Sequence, residues 1–334
     1  MDDIEPIVSV VICTAETFDH CREAIDHWRA QTIVGRIEMV VVGPSRERMK
    51  VDEAVLEPFQ GFRIVEASEV RITGHATAAG IREATAPFVI YAEEHDYPDP
   101  HLAENVMRVF DQGYNAVGWA MENANPGLVS YAHLYLQFGP SAAPVESGEV
   151  DRLVGHHTAY RKSVLLAHDH RLEDVMCKED ALHLFMRDRG ERFYMCGDAV
   201  SRHVQISDLG HLMVHEWVRH RALACRRIET MGWDLGKRLL FAAGAPLIPF
   251  VRVRRALSAL SRAPERRREL MPWIALVMLL AATAGAFGEA LGYLLGGKTQ
   301  ALEKAAPVEL DRFAFVSPRD ARSPIVSRMG ANRR

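Results

Sequence analysis

The chain has 334 residues, 48% of them hydrophobic and 25% charged, with a formal net charge of -4. That length suits one large domain or two small ones, and the nearly balanced charge gives no argument for nucleic-acid binding. Cys13, Cys21, Cys177, Cys196 and Cys225 are scattered with no CxxC pair, which argues against a disulfide framework or a thiolate zinc site and fits a reducing compartment. The acidic start MDDIEPIVSVVIC lacks the basic region of a signal peptide, so the front of the chain is expected in the cytoplasm.

Residues 7–13 are a β-branched run that predicts a strand buried on both faces, followed by a polar loop at 14–17. Cys21, Ala24, Ile25 and Trp28 recur at helical spacing within 19–30. Residues 37–42 predict a second buried strand ended by Gly43-Pro44, 62–67 a third, 77–84 a helix and 88–92 another strand. Strands alternating with helices imply a parallel sheet covered on both faces, with ligands beyond the carboxyl ends of its strands. The loops 14–17, 43–45 and 93–96 all lie at such ends.

The 88–92 strand runs straight into Glu93, Glu94, His95 and Asp96 before Pro98 and Pro100 turn the chain. Carboxylates and an imidazole at the end of a buried strand are costly unless a cation meets them, and a divalent metal carrying a diphosphate would do so. A plain charged turn is the simpler alternative.

Further on, 102–110 predicts a helix, 116–121 a strand, 123–126 a turn and 140–149 a mobile loop. Residues 123–149 as a whole read as variable loop, suited to an acceptor pocket. Residues 154–160 predict a strand carrying His156 and His157, 179–189 a helix, and 193–196 a strand leading towards 199–203. The basic helical stretch 214–227 reads first as a solvated face.

The character changes near Lys237. Residues 239–251 are apolar but interrupted by Gly244, Pro246 and Pro249, and are expected to be interfacial or re-entrant. Residues 252–268 are strongly basic. The uncharged run 271–288 is just long enough to cross a membrane, with its arginine flank on the cytoplasmic side; Glu289 interrupts it before 290–297. A pair of buried helices in a soluble core is the alternative. The end at 328–334 reads as a disordered basic tail.

Several of these segments together resemble the family 2 glycosyltransferases. Residues 8–14 (VSVVICT) are similar to the family's opening strand, Ala30-Gln31-Thr32 to its AQT helix end, and residues 79–84 to its AGI-containing helix. Residues 91–100 resemble the FLDDDxxPxP segment, 155–162 the GxxxAxRR element, and Glu179-Asp180 the ED motif. His203 falls where the family often keeps a histidine near the diphosphate. The resemblance covers roughly residues 7–225.

It implies an α/β GT-A fold, a Rossmann-like mixed sheet with helices on both faces, followed by C-terminal membrane-associated helices. It implies sugar transfer with inversion from a UDP- or GDP-linked donor to a hydroxyl of a cell-surface glycan or glycolipid, at the cytoplasmic face of the inner membrane. Asp180, then Glu179, would be the general base. Thr14, Glu16, Gly43, Ser45, Gly80, Glu93, Glu94 and His203 would meet the donor. Glu93, His95, Asp96 and His203 would hold Mn2+ or Mg2+, and Arg202 would add a donor to the diphosphate. Residues 1–225 would form the transferase domain, 226–300 a membrane-associated helical region and 301–334 a partly disordered tail.

Two departures stand out. Gly43-Pro44 replace an acidic pair that grips the base, and Thr77-Ala78 replace an Arg-Asn pair. They motivate another expectation, a catalytically degenerate scaffold in a membrane polysaccharide complex. A nucleotidyltransferase would need a Gly-rich basic loop after the first strand, which 13–18 does not supply.

Overall fold

The computed structural model describes residues 5–67, 70, 73–155, 157–167, 169–177, 179–297 and 311–320. In chain order the strands are β1 (Val8–Cys13), β2 (Ile37–Gly43), β3 (Gly61–Glu66), β4 (Phe88–Ala92), β5 (Asp96–Pro98), β6 (Ala116–Asn123), β7 (Gly148–Val150), β8 (Thr158–Arg161) and β9 (Phe193–His203). The helices are α1 (Arg22–Arg29), α2 (Arg46–Met49), α3 (Thr73–Glu83), α4 (Leu102–Phe110), α5 (Leu128–Phe138), α6 (Lys162–Leu166), α7 (Leu172–Met176), α8 (Glu179–Asp188), α9 (Leu209–Met231), α10 (Leu235–Gly244), α11 (Ile248–Leu260), α12 (Pro264–Leu270) and α13 (Trp273–Leu295).

The chain divides into two compact units. The first takes in Met1–Glu122 and Ala143–His203, the second Asn123–Ala142 and Val204–Ala331.

The first unit is built on one sheet of order β3-β2-β1-β4-β8-β6-β9-β5, with β7 added to β9. Every residue of β1 and β2 is buried. Successive side chains on a strand point to opposite faces, so full burial means that both faces are covered. Strands β3, β2, β1 and β4 are parallel, with Val10 level with Met39 on one side and Ile90 on the other. From β4 onward the pairing turns antiparallel, first with β8 and then with β6. The sheet is thus mixed, as the resemblance implies, and the parallel pairing expected from strand–helix alternation holds for β3, β2, β1 and β4. Helix α3 lies against β1 and β2, where a Cβ on Gly80 would come 2.5 Å from Val11 Cγ1 and 2.8 Å from Val42 Cγ2. Only a glycine allows that approach.

The expected strand at 154–160 is shorter, beginning at Thr158, and 193–203 form one continuous strand. Residues 128–138, read from sequence as loop, form the buried helix α5 of the second unit.

In the second unit α9 and α13 pack along their length. Gly288 and Gly292 let the two backbones close: a Cβ at Gly288 would lie 2.1 Å from the Trp217 carbonyl oxygen. The predicted runs 271–288 and 290–297 are one helix, α13, with a mean hydropathy of 1.9 in its most apolar window and half of that window buried. By length and composition it is long and apolar enough to cross a membrane. Its Glu289 is buried beside His220 Nδ1 (3.1 Å), Arg227 Nη1 (2.7 Å) and the Tyr293 hydroxyl (2.7 Å), so its charge is met inside the bundle. The tail expected at 301–334 lies outside the described residues apart from 311–320.

Candidate functional site

Three strand ends converge at the carboxyl end of β4. Glu93 follows β4 directly. After Glu94 and His95 the chain enters β5, whose Asp96 pairs with His203 at the end of β9. On the other side, β8 runs antiparallel to β4 with Ala159 level with Ile90. Continuing that register brings His157, just before β8, level with Ala92. His157 has a φ of 66°, in the left-handed region that a residue with a Cβ enters only when its surroundings hold it there.

The result is a buried group of carboxylates and imidazoles. His95 and His203 have no exposed surface, His157 is 3% exposed, and Glu93, Glu94 and Asp96 are 6% exposed or less. Three imidazole nitrogens surround one carboxylate oxygen. Glu93 Oε2 lies 3.2 Å from His203 Nε2, 3.4 Å from His157 Nε2 and 3.4 Å from His95 Nε2. The far sides of two rings meet other carboxylates, with His157 Nδ1 3.0 Å from Asp96 Oδ2 and His95 Nδ1 3.1 Å from Glu94 Oε1. Burial, reinforced by the neighbouring His95, pushes the His203 imidazole well below its ordinary pKa despite the Glu93 carboxylate, so the ring stays neutral.

Glu93, His157 and His203 each offer one ligand atom, all within 4.8 Å of one another. One carboxylate oxygen and two imidazole nitrogens form a chemically sound donor set for a divalent cation. From sequence His157 falls on the expected strand 154–160, within the segment resembling the GxxxAxRR element, and not among the expected metal ligands. Its role is set by a partner strand some sixty residues beyond Glu93, and the only local signal was its GHHT setting; His156 lies outside the described residues. Asp96, expected as a ligand, engages His157 instead.

The other sequence-derived site residues fall as follows. Thr14 is buried just past β1 and donates its hydroxyl to the Thr17 carbonyl, and Glu16 is exposed. Gly43 ends β2 beside Thr14, since a Cβ there would lie 3.2 Å from Thr14 Cγ2. Ser45 caps α2 by accepting from the Arg48 amide. Gly80, expected as a donor contact, faces β1 and β2 and packs α3 against them. Thr77, in the place of a family cation, is buried with its Oγ1 3.5 Å from Cys13 Sγ; burial raises the Cys13 thiol to about 12. Arg202 is already engaged with Asp99 (3.2 Å) and Glu122 (3.5 Å). Glu179 and Asp180 open α8, and their side chains lie outside the described residues.

A half-parallel, half-antiparallel sheet with an acidic and imidazole group at the end of its central parallel strand defines a GT-A transferase domain. Residues 9–168 match the model of "Glycosyl transferase family 2". Among solved structures it is similar to S. aureus TarS 1–349 in complex with UDP (15% identity, TM-score 0.47, 87% of this chain and 92% of that one). It is likewise similar to S. aureus TarS 1–349 in complex with UDP-GlcNAc (12% identity, TM-score 0.46, 87% and 93%). No curated protein sequence matches the chain.

Proposed function

We propose that the chain is an inverting glycosyltransferase moving a sugar from a UDP- or GDP-linked donor to a hydroxyl of a cell-surface polysaccharide or glycolipid. The observation that carries this reading is Glu93 at the carboxyl end of β4, flanked by His157 and His203, within a family 2 segment. In the reaction the acceptor oxygen bonds to the anomeric carbon, the bond from that carbon to the diphosphate oxygen breaks, and the acceptor proton passes to a carboxylate. Asp180 at the head of α8 is the first choice for that base and Glu179 the second. Glu93, His157 and His203 would hold Mn2+ or Mg2+, which when bound supplies Lewis-acid stabilisation of the diphosphate charge. In this reading residues 1–225 are the transferase domain, 226–300 attach it to a membrane and 301–334 are a tail.

The test is release of UDP or GDP from a panel of sugar donors with Mn2+, with the anomeric configuration of the product read by NMR. Asp180→Asn is expected to lower turnover by roughly 10²–10⁴-fold. Turnover of no donor, or an Asp180→Asn protein as fast as the parent, overturns the reading.

Attachment to the cytoplasmic face of the inner membrane is supported by the surface of the second unit. Large apolar side chains stand exposed on three helices: Leu240 on α10, Phe250 on α11, and Trp273 and Phe287 on α13. Arg254 and Leu257 with Leu276 and Leu279 line an apolar groove of about 500 Å³. Arginines 266–268 on α12 sit in the same run of helices and suit an anionic headgroup layer. Sedimentation with anionic vesicles tests this, and a full chain that stays in the supernatant refutes it.

The buried Thr77 and Ala78 favour a second reading, a degenerate scaffold, since these positions offer a nucleotide no cation. Calorimetric titration with UDP, GDP and Mn2+ separates the two: the scaffold binds none.

A further inference from the structure

We infer that the Glu93 cluster is built for a first-row transition ion such as Zn2+, Co2+ or Mn2+ and discriminates against Mg2+, with His157 as a ligand and Asp96 as the residue that positions it. This rests on the proposed reading only in placing a metal at the end of β4.

The first argument is donor chemistry. Mg2+ is a hard cation that takes oxygen ligands and retains several waters, whereas imidazole suits first-row transition ions. Two of the three converging donors here are imidazole nitrogens, and His95 Nε2 stands 3.4 Å from the same Glu93 oxygen. The cluster is also nearly closed to solvent, which leaves a strongly hydrated ion little room for its water shell.

The second argument is spacing. Ligands bound at about 2.0–2.1 Å stand roughly 3.0–3.4 Å apart along the edges of their coordination polyhedron. Glu93 Oε2 lies 3.2 Å from His203 Nε2 and 3.4 Å from His157 Nε2.

The third is the outer layer. With its Nδ1–H donated to Asp96 Oδ2 at 3.0 Å, His157 turns the lone pair of Nε2 towards Glu93. A carboxylate behind a histidine in this way fixes the tautomer and orients the ring of a metal ligand. Glu94 Oε1 lies 3.1 Å from His95 Nδ1 without a hydrogen-bond geometry. The left-handed backbone of His157 fits a residue whose ring position is set by the cluster and not by strand geometry.

The experiment uses the metal-stripped full chain, titrated in separate runs with Co2+, Zn2+, Mn2+ and Mg2+ by calorimetry, with visible absorption read for Co2+. One equivalent of Co2+ or Zn2+ is expected to bind at least 100-fold more tightly than Mg2+. His157→Gln is expected to weaken Co2+ binding by at least 100-fold and to alter its absorption bands, and Asp96→Asn to weaken it by roughly 10–100-fold. Mg2+ binding as tightly as Co2+, or binding of no ion, overturns the inference, and the parent chain alone decides this should a variant fail to fold. An unchanged Co2+ affinity in a folded His157→Gln protein also overturns it. A chain that binds Co2+ as described yet turns over no donor upholds this inference and defeats the transferase proposal.

Discussion

Each of the two units buries a group of histidines, and the groups differ in what faces them. In the first unit His95, His157 and His203 meet Glu93, Glu94 and Asp96. In the second, His133 and His215 lie with ring centroids 5.6 Å apart, and His133 Nδ1 is 2.7 Å from the Gln205 amide oxygen. The nearby Arg312 repels a proton on His133. The carboxylate within electrostatic range, Glu216, is already matched by Arg252 and His220. The same residue type thus serves two ends. Ringed by carboxylates it can gather a cation, and ringed by an amide and a guanidinium it is a neutral piece of core.

Substitutions that remove a carboxylate from the first group should therefore act on chemistry, and those in the second only on stability. The largest effect is expected for Glu93→Gln, which replaces the carboxylate on which three imidazoles converge with a neutral amide. Nucleotide release should fall about 1,000-fold, equivalent to ~4 kcal/mol, with bound metal lost in parallel. Full metal occupancy in that variant would dissolve the distinction between the two groups.

Added Zn2+ sharpens it next. At 100 times its dissociation constant, an ion that binds only the folded chain adds about 2.7 kcal/mol of stability. That gain should appear in the parent and in His133→Ala, and vanish in Glu93→Gln, with urea midpoints as the readout.

His133→Ala by itself should cost about 2–3 kcal/mol, through an unfilled space in a buried helix and the lost bond to Gln205, while leaving metal content untouched. A loss of metal in this variant would show that the two clusters are not independent.

The parts of this arrangement legible in sequence are those written in short uninterrupted runs. β1, β2 and β4 are buried on both faces, so their apolar residues stand consecutively, and Glu93 to Asp96 stand out against them. α5 was hidden for the opposite reason. Its sequence LVSYAHLYLQF is buried nearly all round, with the Ser130 hydroxyl and His133 Nδ1 bonded internally, so no polar face marks a helical period. His157 reaches the site through the antiparallel return of β8, a pairing that no local pattern encodes. Gly80, expected at the donor, packs against β1 and β2, because close helix–sheet packing and ligand approach demand the same residue.

The smallest expected effect concerns protons. Burial first, then Arg312 and His215, hold His133 well below its ordinary pKa of 6.5, with Glu216 and Gln205 opposing them only in part. Above about pH 6.5 neither the folded nor the unfolded imidazole carries a proton. Below it the unfolded ring takes one and the folded ring does not, so stability is lost as pH falls, by at most about 1.4 kcal/mol per pH unit. Urea midpoints measured from pH 7.5 down to 5.5 should decline more steeply for the parent than for His133→Gln, which has no proton to gain. Equal slopes would mean that His133 accepts a proton in place and that Glu216 and Gln205 outweigh its burial.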